Sequence, residues 1–194
     1  MHDTAQPRLS AQGEPTPHWP SSGLRLSEIA AAALQLPADA FAAVYGNTFF
    51  IRHAMATRPL APMRTALSFD NDNDDDDRVR ERTGELVLLV MPLLRGSKSE
   101  HPFVSIGRLA ANDVCIVDET LSKFHAYARD LDGTVFLQDA RSRNGTTVDG
   151  NVVAARGAGD ATALHPGNVV RFGSVTTSFL DVDGLVALCR RASR

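Results

Sequence analysis

An all-β fold, a twisted antiparallel sandwich of two packed sheets, is predicted for the C-terminal part of the chain from about Gly84 onward. Short β-type runs separated by turn residues at close intervals point to it. So do two hairpin signals, Asp132-Gly133 and Asp149-Gly150, and a break at Pro166-Gly167. The predicted strands are Leu86–Met91, Phe103–Ile106, Val114–Val117, Phe124–Asp130, Thr134–Asp139, Val169–Phe172 and Thr176–Val182. Asp-Gly suits a tight hairpin because both central turn positions take positive φ. Residues 184–194 are expected to form a short helix or tail, with Leu185 and Leu188 inward and Arg190, Arg191 and Arg194 at its negative end.

The N-terminal part reads differently. Residues 1–22 hold four prolines among polar residues, too little apolar surface to offset chain entropy, and are expected to be a disordered tail. Residues 23–56 form a short helical segment. Ser27 is placed to cap a helix running through Gln35, Pro37 to open a second and Gly46 to end it. Leu26, Ile29, Ala33 and Leu36 share one face of the first helix, and Phe41, Val44 and Tyr45 one face of the second. The β-prone run Thr48–Ile51 docks these faces either onto the main domain or onto another protein. Residues 57–83, with Pro59, Pro62 and the run Asp70–Asp77, read as a flexible acidic linker whose six carboxylates repel one another.

A chain of 194 residues suits one domain with added segments. Its formal charge of -3 gives no electrostatic reason to expect a nucleic-acid partner. Cys115 and Cys189 have neither metal-ligand spacing nor the density of a disulfide scaffold, so a reducing, cytoplasmic location is expected. No signal-peptide pattern and no apolar run of membrane-spanning length is present, and no membrane partner is expected.

The chemistry lies in six fragments that follow in order: Gly107-Arg108, Asn112-Asp113-Val114, Ser122-Lys123-Phe124-His125, Asp139, Ser142-Arg143-Asn144-Gly145-Thr146 and Asp149-Gly150. Together with Gly167–Gly173 they resemble the signature of the forkhead-associated (FHA) family, over about Phe103 to Val182. Asn168 departs from the pattern, since the family often has Asp there. The resemblance implies an FHA β-sandwich spanning 84–183 that binds phosphothreonine in a partner protein, a Ser/Thr kinase or its substrate, as a signalling adaptor. It implies no catalysis and no cofactor.

Phosphate chemistry asks for the same residues. Nearly two negative charges and three acceptor oxygens call for a forked guanidinium, a hydroxyl and further donors. Arg108 supplies paired hydrogen bonds, Ser122 a hydroxyl and Lys123 a point charge, while Arg143 closes the cup through its backbone or guanidinium. Asn144, with donor and acceptor ends, suits a peptide backbone, which is also the family's role for it. Gly107 and Gly145 permit tight geometry, His125 braces the loop that carries Ser122, and Thr146 stands with them as structural support.

Other classes fit less well. A hydrolase would need Ser122 as nucleophile, His125 as base and Asp118 or Asp139 as orienter, with no Gly-x-Ser-x-Gly elbow in the chain. Asp70, Asp72, Asp74, Asp76 and Glu81 match calcium-loop spacing, but Asp75 stands where the sharp turn requires glycine, so no metal site is expected. The alternative to phosphopeptide binding is a phosphate-independent structural or interaction module on the same fold. A phosphorylated linker threonine, Thr57 or Thr65, is a further candidate ligand by self-binding.

Overall fold

The computed structural model describes residues 20, 22–57, 82–95 and 101–193. Fifteen elements follow in order: β1 (Leu24–Arg25), α1 (Leu26–Gln35), α2 (Ala38–Tyr45), β2 (Thr48–Thr57), β3 (Arg82–Pro92), β4 (Val104–Gly107), β5 (Val114–Cys115), β6 (Ala126–Leu131), β7 (Thr134–Asp139), β8 (Thr146–Val148), β9 (Asn151–Val152), β10 (Thr162–Leu164), β11 (Val169–Phe172), β12 (Val175–Asp181) and α3 (Val182–Ala192). The strands make two sheets, one of seven in the order β1-β3-β2-β12-β11-β8-β9 and one of five in the order β10-β7-β6-β4-β5. Pairing is antiparallel except between β4 and β5.

The two sheets face each other across a core of alternating inward residues. Ile106, Ala126, Ala128, Val135 and Leu137 come from the five-stranded sheet, and Phe50, Met91, Val170, Phe172 and Phe179 from the seven-stranded one. Phe50 packs edge-on against Phe172, with ring centroids 5.4 Å apart.

β2 is the main departure from the sequence reading. Of the two alternatives, Thr48–Ile51 docks the helices onto the main domain, and it does so from within the sandwich. It begins a ten-residue inner strand that pairs with β12 on one side and β3 on the other. Consecutive residues face opposite layers: Phe50 enters the sandwich core, while Phe49 and Ile51 join a second core with Leu26, Ile29, Ala33, Phe41, Val90, Val182, Leu185 and Cys189. The helices therefore form a third layer over the outer face of the seven-stranded sheet. That is where the apolar faces of α1 and α2 are covered, with α3 completing the layer.

Smaller departures have local causes. α1 begins at Leu26, because Glu28 Oε2 accepts the backbone N–H of Arg25 at 2.6 Å, and Ser27 falls inside the first turn. Leu36 is exposed beyond the helix end. α3 starts two residues earlier than expected, since the Asp181 carboxylate caps it by accepting the Gly184 N–H at 2.8 Å. Val117 lies past the end of β5 and is exposed. Thr57, expected in the linker, ends β2 opposite Arg82. Residues 1–19, the acidic run Asp70–Asp77, Glu81 and Thr65 lie outside the described residues. None of the described helices is long and apolar enough to cross a membrane.

Candidate functional site

One end of the sandwich carries the loops after β4, β5, β7 and β11, and a web of hydrogen bonds centred on Ser122 joins them. The Ser122 carbonyl accepts the Arg108 N–H at 3.1 Å, and Ser122 Oγ accepts the Arg143 N–H at 3.0 Å. Ser122 N–H in turn donates to Nδ1 of His125 at 3.0 Å. The chain segments bearing Arg108, Ser122-Lys123 and Arg143 are thus fastened to one residue. Because Ser122 Oγ is the acceptor toward Arg143, its own hydroxyl hydrogen is left to donate outward. The backbone N–H of Arg143 is committed to this bond, so its guanidinium is the group left for a ligand.

His125 is buried and packs edge-on against Phe172 at 5.9 Å. Since Nδ1 accepts from Ser122, the neutral ring carries its proton on Nε2, which donates to the Gly145 carbonyl at 3.1 Å. Burial pushes its pKa below the ordinary 6.5, while the Gly145 bond and the Asp139 carboxylate pull weakly the other way. Both ring nitrogens are engaged by backbone groups. The ring is therefore not the base of a Ser122–His125 relay, which removes the geometry a hydrolase would need.

Asp139 organises the next loop. It is buried, and its carboxylate accepts from Ser142 N–H (2.8 Å), Ser142 Oγ (2.7 Å) and Thr146 Oγ1 (2.7 Å). Ser142 Oγ accepts the Gly145 N–H at 3.0 Å, closing a turn in which Gly145 sits at φ 75°. Gly107 answers a different need: a Cβ there would stand 2.4 Å from the Lys123 carbonyl oxygen and 2.9 Å from Asn112 Nδ2. The buried Asn112 staples the same crossing, donating to the carbonyls of Leu109 and Lys123, both at 2.8 Å.

Two contributors were missed in the sequence. Thr120 accepts the Asn144 Nδ2–H at its carbonyl (2.7 Å) and holds the β11–β12 turn, its hydroxyl accepting the Ser174 N–H at 3.0 Å. Asp118 fixes Thr120 by accepting from its N–H and hydroxyl at 2.9 and 2.6 Å. Chiefly the hydroxyl bond, with help from the Thr120 N–H and the charge of Arg52, holds the Asp118 carboxyl below its ordinary range against the opposing effect of burial. An Asp-x-Thr sequence is a turn signal that would have revealed this brace. The charge of Arg52, on β2, had no such signal.

On the exposed side of this web stand Arg108, Lys123, Arg143 and Asn144. Among the described residues, the charged groups of Arg108, Lys123 and Arg143 have no hydrogen bond or ion pair, and Asn144 Oδ1 has no partner. Away from the site, Asn168 accepts the His165 N–H at 2.6 Å and donates to Asp149 Oδ2 at 2.6 Å. An aspartate in its place would set two carboxylates against each other, which accounts for the amide in this chain.

A family model described as "FHA domain" matches residues 104–173. The chain therefore carries a forkhead-associated domain. It is 36% identical over 102 residues to the ABC transporter ATP-binding/permease protein Rv1747 of Mycobacterium tuberculosis, a match covering 50% of this chain. The chain spans only 11% of that relative's length. Among solved structures, it is similar to the FHA-2 domain of the same transporter, with 28% identity, 58% of this chain and 83% of that one covered, and a TM-score of 0.34. Another similar structure is Mycobacterium tuberculosis EmbR in complex with a low-affinity phosphopeptide. It has 23% identity, coverage of 50% and 22%, and a TM-score of 0.36.

Proposed function

We propose that this chain binds phosphothreonine-containing peptides and serves as an adaptor in Ser/Thr kinase signalling, bringing a phosphorylated kinase or substrate to whatever else the chain engages. The observation that carries this reading is the convergence at Ser122. Three exposed cations that have no counter-charge among the described residues sit on loops held by a web of hydrogen bonds. A dianionic group supplies what those cations lack, and each charge-assisted bond it forms is worth about 1.5 to 3 kcal/mol.

In this reading Arg108 takes the phosphate in a fork, the Ser122 hydroxyl donates to it, and Lys123 and the Arg143 guanidinium surround it. Asn144, already fixed to Thr120, receives the peptide backbone. Gly107, His125, Gly145 and Thr146 hold these groups in place rather than touching ligand. Threonine is preferred over serine because its methyl fills a small apolar niche, as the family resemblance implies. The site works in the cytoplasm, needs no cofactor and binds neither nucleic acid nor membrane.

The test is calorimetric titration of the full chain with a phosphothreonine peptide selected from an oriented library, and with the same peptide dephosphorylated. Binding that disappears with the phosphate supports the proposal. Equal affinity for both peptides contradicts it and selects the phosphate-independent module instead.

A further inference from the structure

The open edge of β2 borders the phosphate loops, and its position follows from strand direction. β12 starts at Val175, immediately after the Gly173–Ser174 turn, which is bonded to Gly145 and Thr120 at the loop end. β2 runs antiparallel to β12, from Thr48 opposite Asp181 to Ile51 opposite Ser178, so it heads toward that same end. Continued by the same count, Ala54 comes level with Val175 and Thr57 passes beyond the rim.

The pairing stops before the rim. β12 pairs with β2 only through Ile51, although β12 itself continues to Val175 in its pairing with β11. On its other side β2 stays paired with β3 as far as Thr57 and Arg82, across a shift between Met55 and Thr57. Among the described residues, the β12-side edge of β2 from Arg52 to Thr57 therefore has no strand partner. His53 is exposed there, and Arg52 and Ala54 are half-buried. A bare strand edge presents backbone donors and acceptors that an extended chain satisfies by adding itself as a strand.

This edge runs toward the end of the sandwich that carries the candidate phosphate site. Arg52 acts electrostatically on Asp118, and Asp118 and Ser122 are ends of one short segment. Even fully extended, that segment spans no more than about 14 Å, so a peptide anchored at Ser122 reaches the level of Asp118 with roughly four residues. Its path crosses Thr120 and Ser174, which already bond each other. The six residues from Arg52 to Thr57 offer about 20 Å of edge.

We infer that the Arg52–Thr57 edge of β2 is a second docking element for the phosphopeptide, pairing by β-strand addition with the segment that flanks the phosphothreonine. The occupant is an extended peptide flank of the phosphorylated partner. Recognition there is through the main chain, so it depends on flank length and backbone N–H groups rather than on side-chain sequence. The inference rests on the phosphothreonine reading above and adds to it a reason for long, extended ligands.

The experiment compares three forms of the library-selected phosphothreonine peptide against the full chain: one trimmed to two residues on either side, one extended by eight residues on each flank in turn, and the extended form with alternate flank amides N-methylated. Calorimetry is paired with hydrogen–deuterium exchange. One extended form is expected to bind roughly tenfold tighter than the short one, to keep that gain when its flank is scrambled, and to lose it on N-methylation. Exchange should slow over residues 52–57 with the extended peptide only. Equal affinity of short and extended forms with unchanged exchange at 52–57 overturns the inference while leaving the phosphate site standing. If even the short peptide fails to bind, the underlying reading falls and the inference with it. Protection in the free chain of the 52–57 amides on the β12 side, those not bonded to β3, also overturns it, assigning the edge to a second copy if it vanishes on dilution and to another part of this chain if it does not.

Discussion

His125 and Arg108 both attach to Ser122, and the fold treats them oppositely. His125 is buried, with each ring nitrogen bonded to backbone, whereas Arg108 contributes its backbone N–H to the web and leaves its guanidinium exposed. The same division runs through the loops: Asn112, Asp139 and Thr146 are buried and bonded, while Lys123 and Arg143 have exposed charges with no partner among the described residues. A rigid, satisfied interior holds an unsatisfied rim, which is how a site is kept ready for a ligand that brings the missing charge. It follows that interior substitutions should lower stability and affinity together, and rim substitutions affinity alone.

The largest stability effect is expected at Asp139. Asp139→Ala orphans three donors in a closed turn and should destabilise the domain by about 3 kcal/mol, read from urea unfolding. A change below about 0.5 kcal/mol, the size of an ordinary surface substitution, would show that the interior web is not what holds these loops.

His125→Ala should cost about 2 kcal/mol and weaken phosphopeptide binding as well, because Ser122 N–H and the Gly145 carbonyl both lose a partner. Loss of binding at an unchanged melting temperature would instead make His125 a ligand contact. Its titration gives a second check. The folded-state pKa lies below the ordinary 6.5, so the unfolded chain binds the extra proton first. The stabilisation from the neutral ring is complete above about pH 6.5 and is lost as pH falls through the lower folded value. Melting temperature should therefore drop between pH 7.5 and 5 in the wild type, with a shallower drop in His125→Ala. Parallel slopes would assign the acid sensitivity elsewhere.

At the rim, Lys123→Ala should change stability by less than about 0.5 kcal/mol and reduce phosphopeptide affinity only a few-fold, since an exposed ammonium acts as a partly screened point charge. A fall in melting temperature comparable to that of His125→Ala would erase the distinction between rim and interior.

How much of this was legible in the sequence depended on whether a single local rule applied. β7 and β11 were readable as β-type runs set off by the turn residues Asp132-Gly133 and Pro166-Gly167. β2 was not, because Phe49, Phe50 and Ile51 are all buried, between the helical layer on one face and the sandwich core on the other. Its role comes from pairing with β12 and β3, which are distant in sequence. β8 and β10, three residues each, are too short for periodicity to register. In the site, the glycines, the cations, Ser122 and Asn144 stood out by their place in the FHA-like run of fragments, and the cations and Ser122 also by their fit to phosphate. The bridges through Thr120 and the approach of Arg52 to Asp118 join segments that only the folded chain brings together.

Arg108→Ala tests the central claim most directly. Its guanidinium is exposed and makes no hydrogen bond or ion pair among the described residues, so the variant should melt within about 0.5 kcal/mol of wild type. Its affinity for the phosphothreonine peptide, measured by calorimetry on the full chain, should fall by about tenfold to more than a hundredfold. A folded variant that binds the phosphopeptide as tightly as wild type would contradict the assignment of this loop end as a phosphothreonine site.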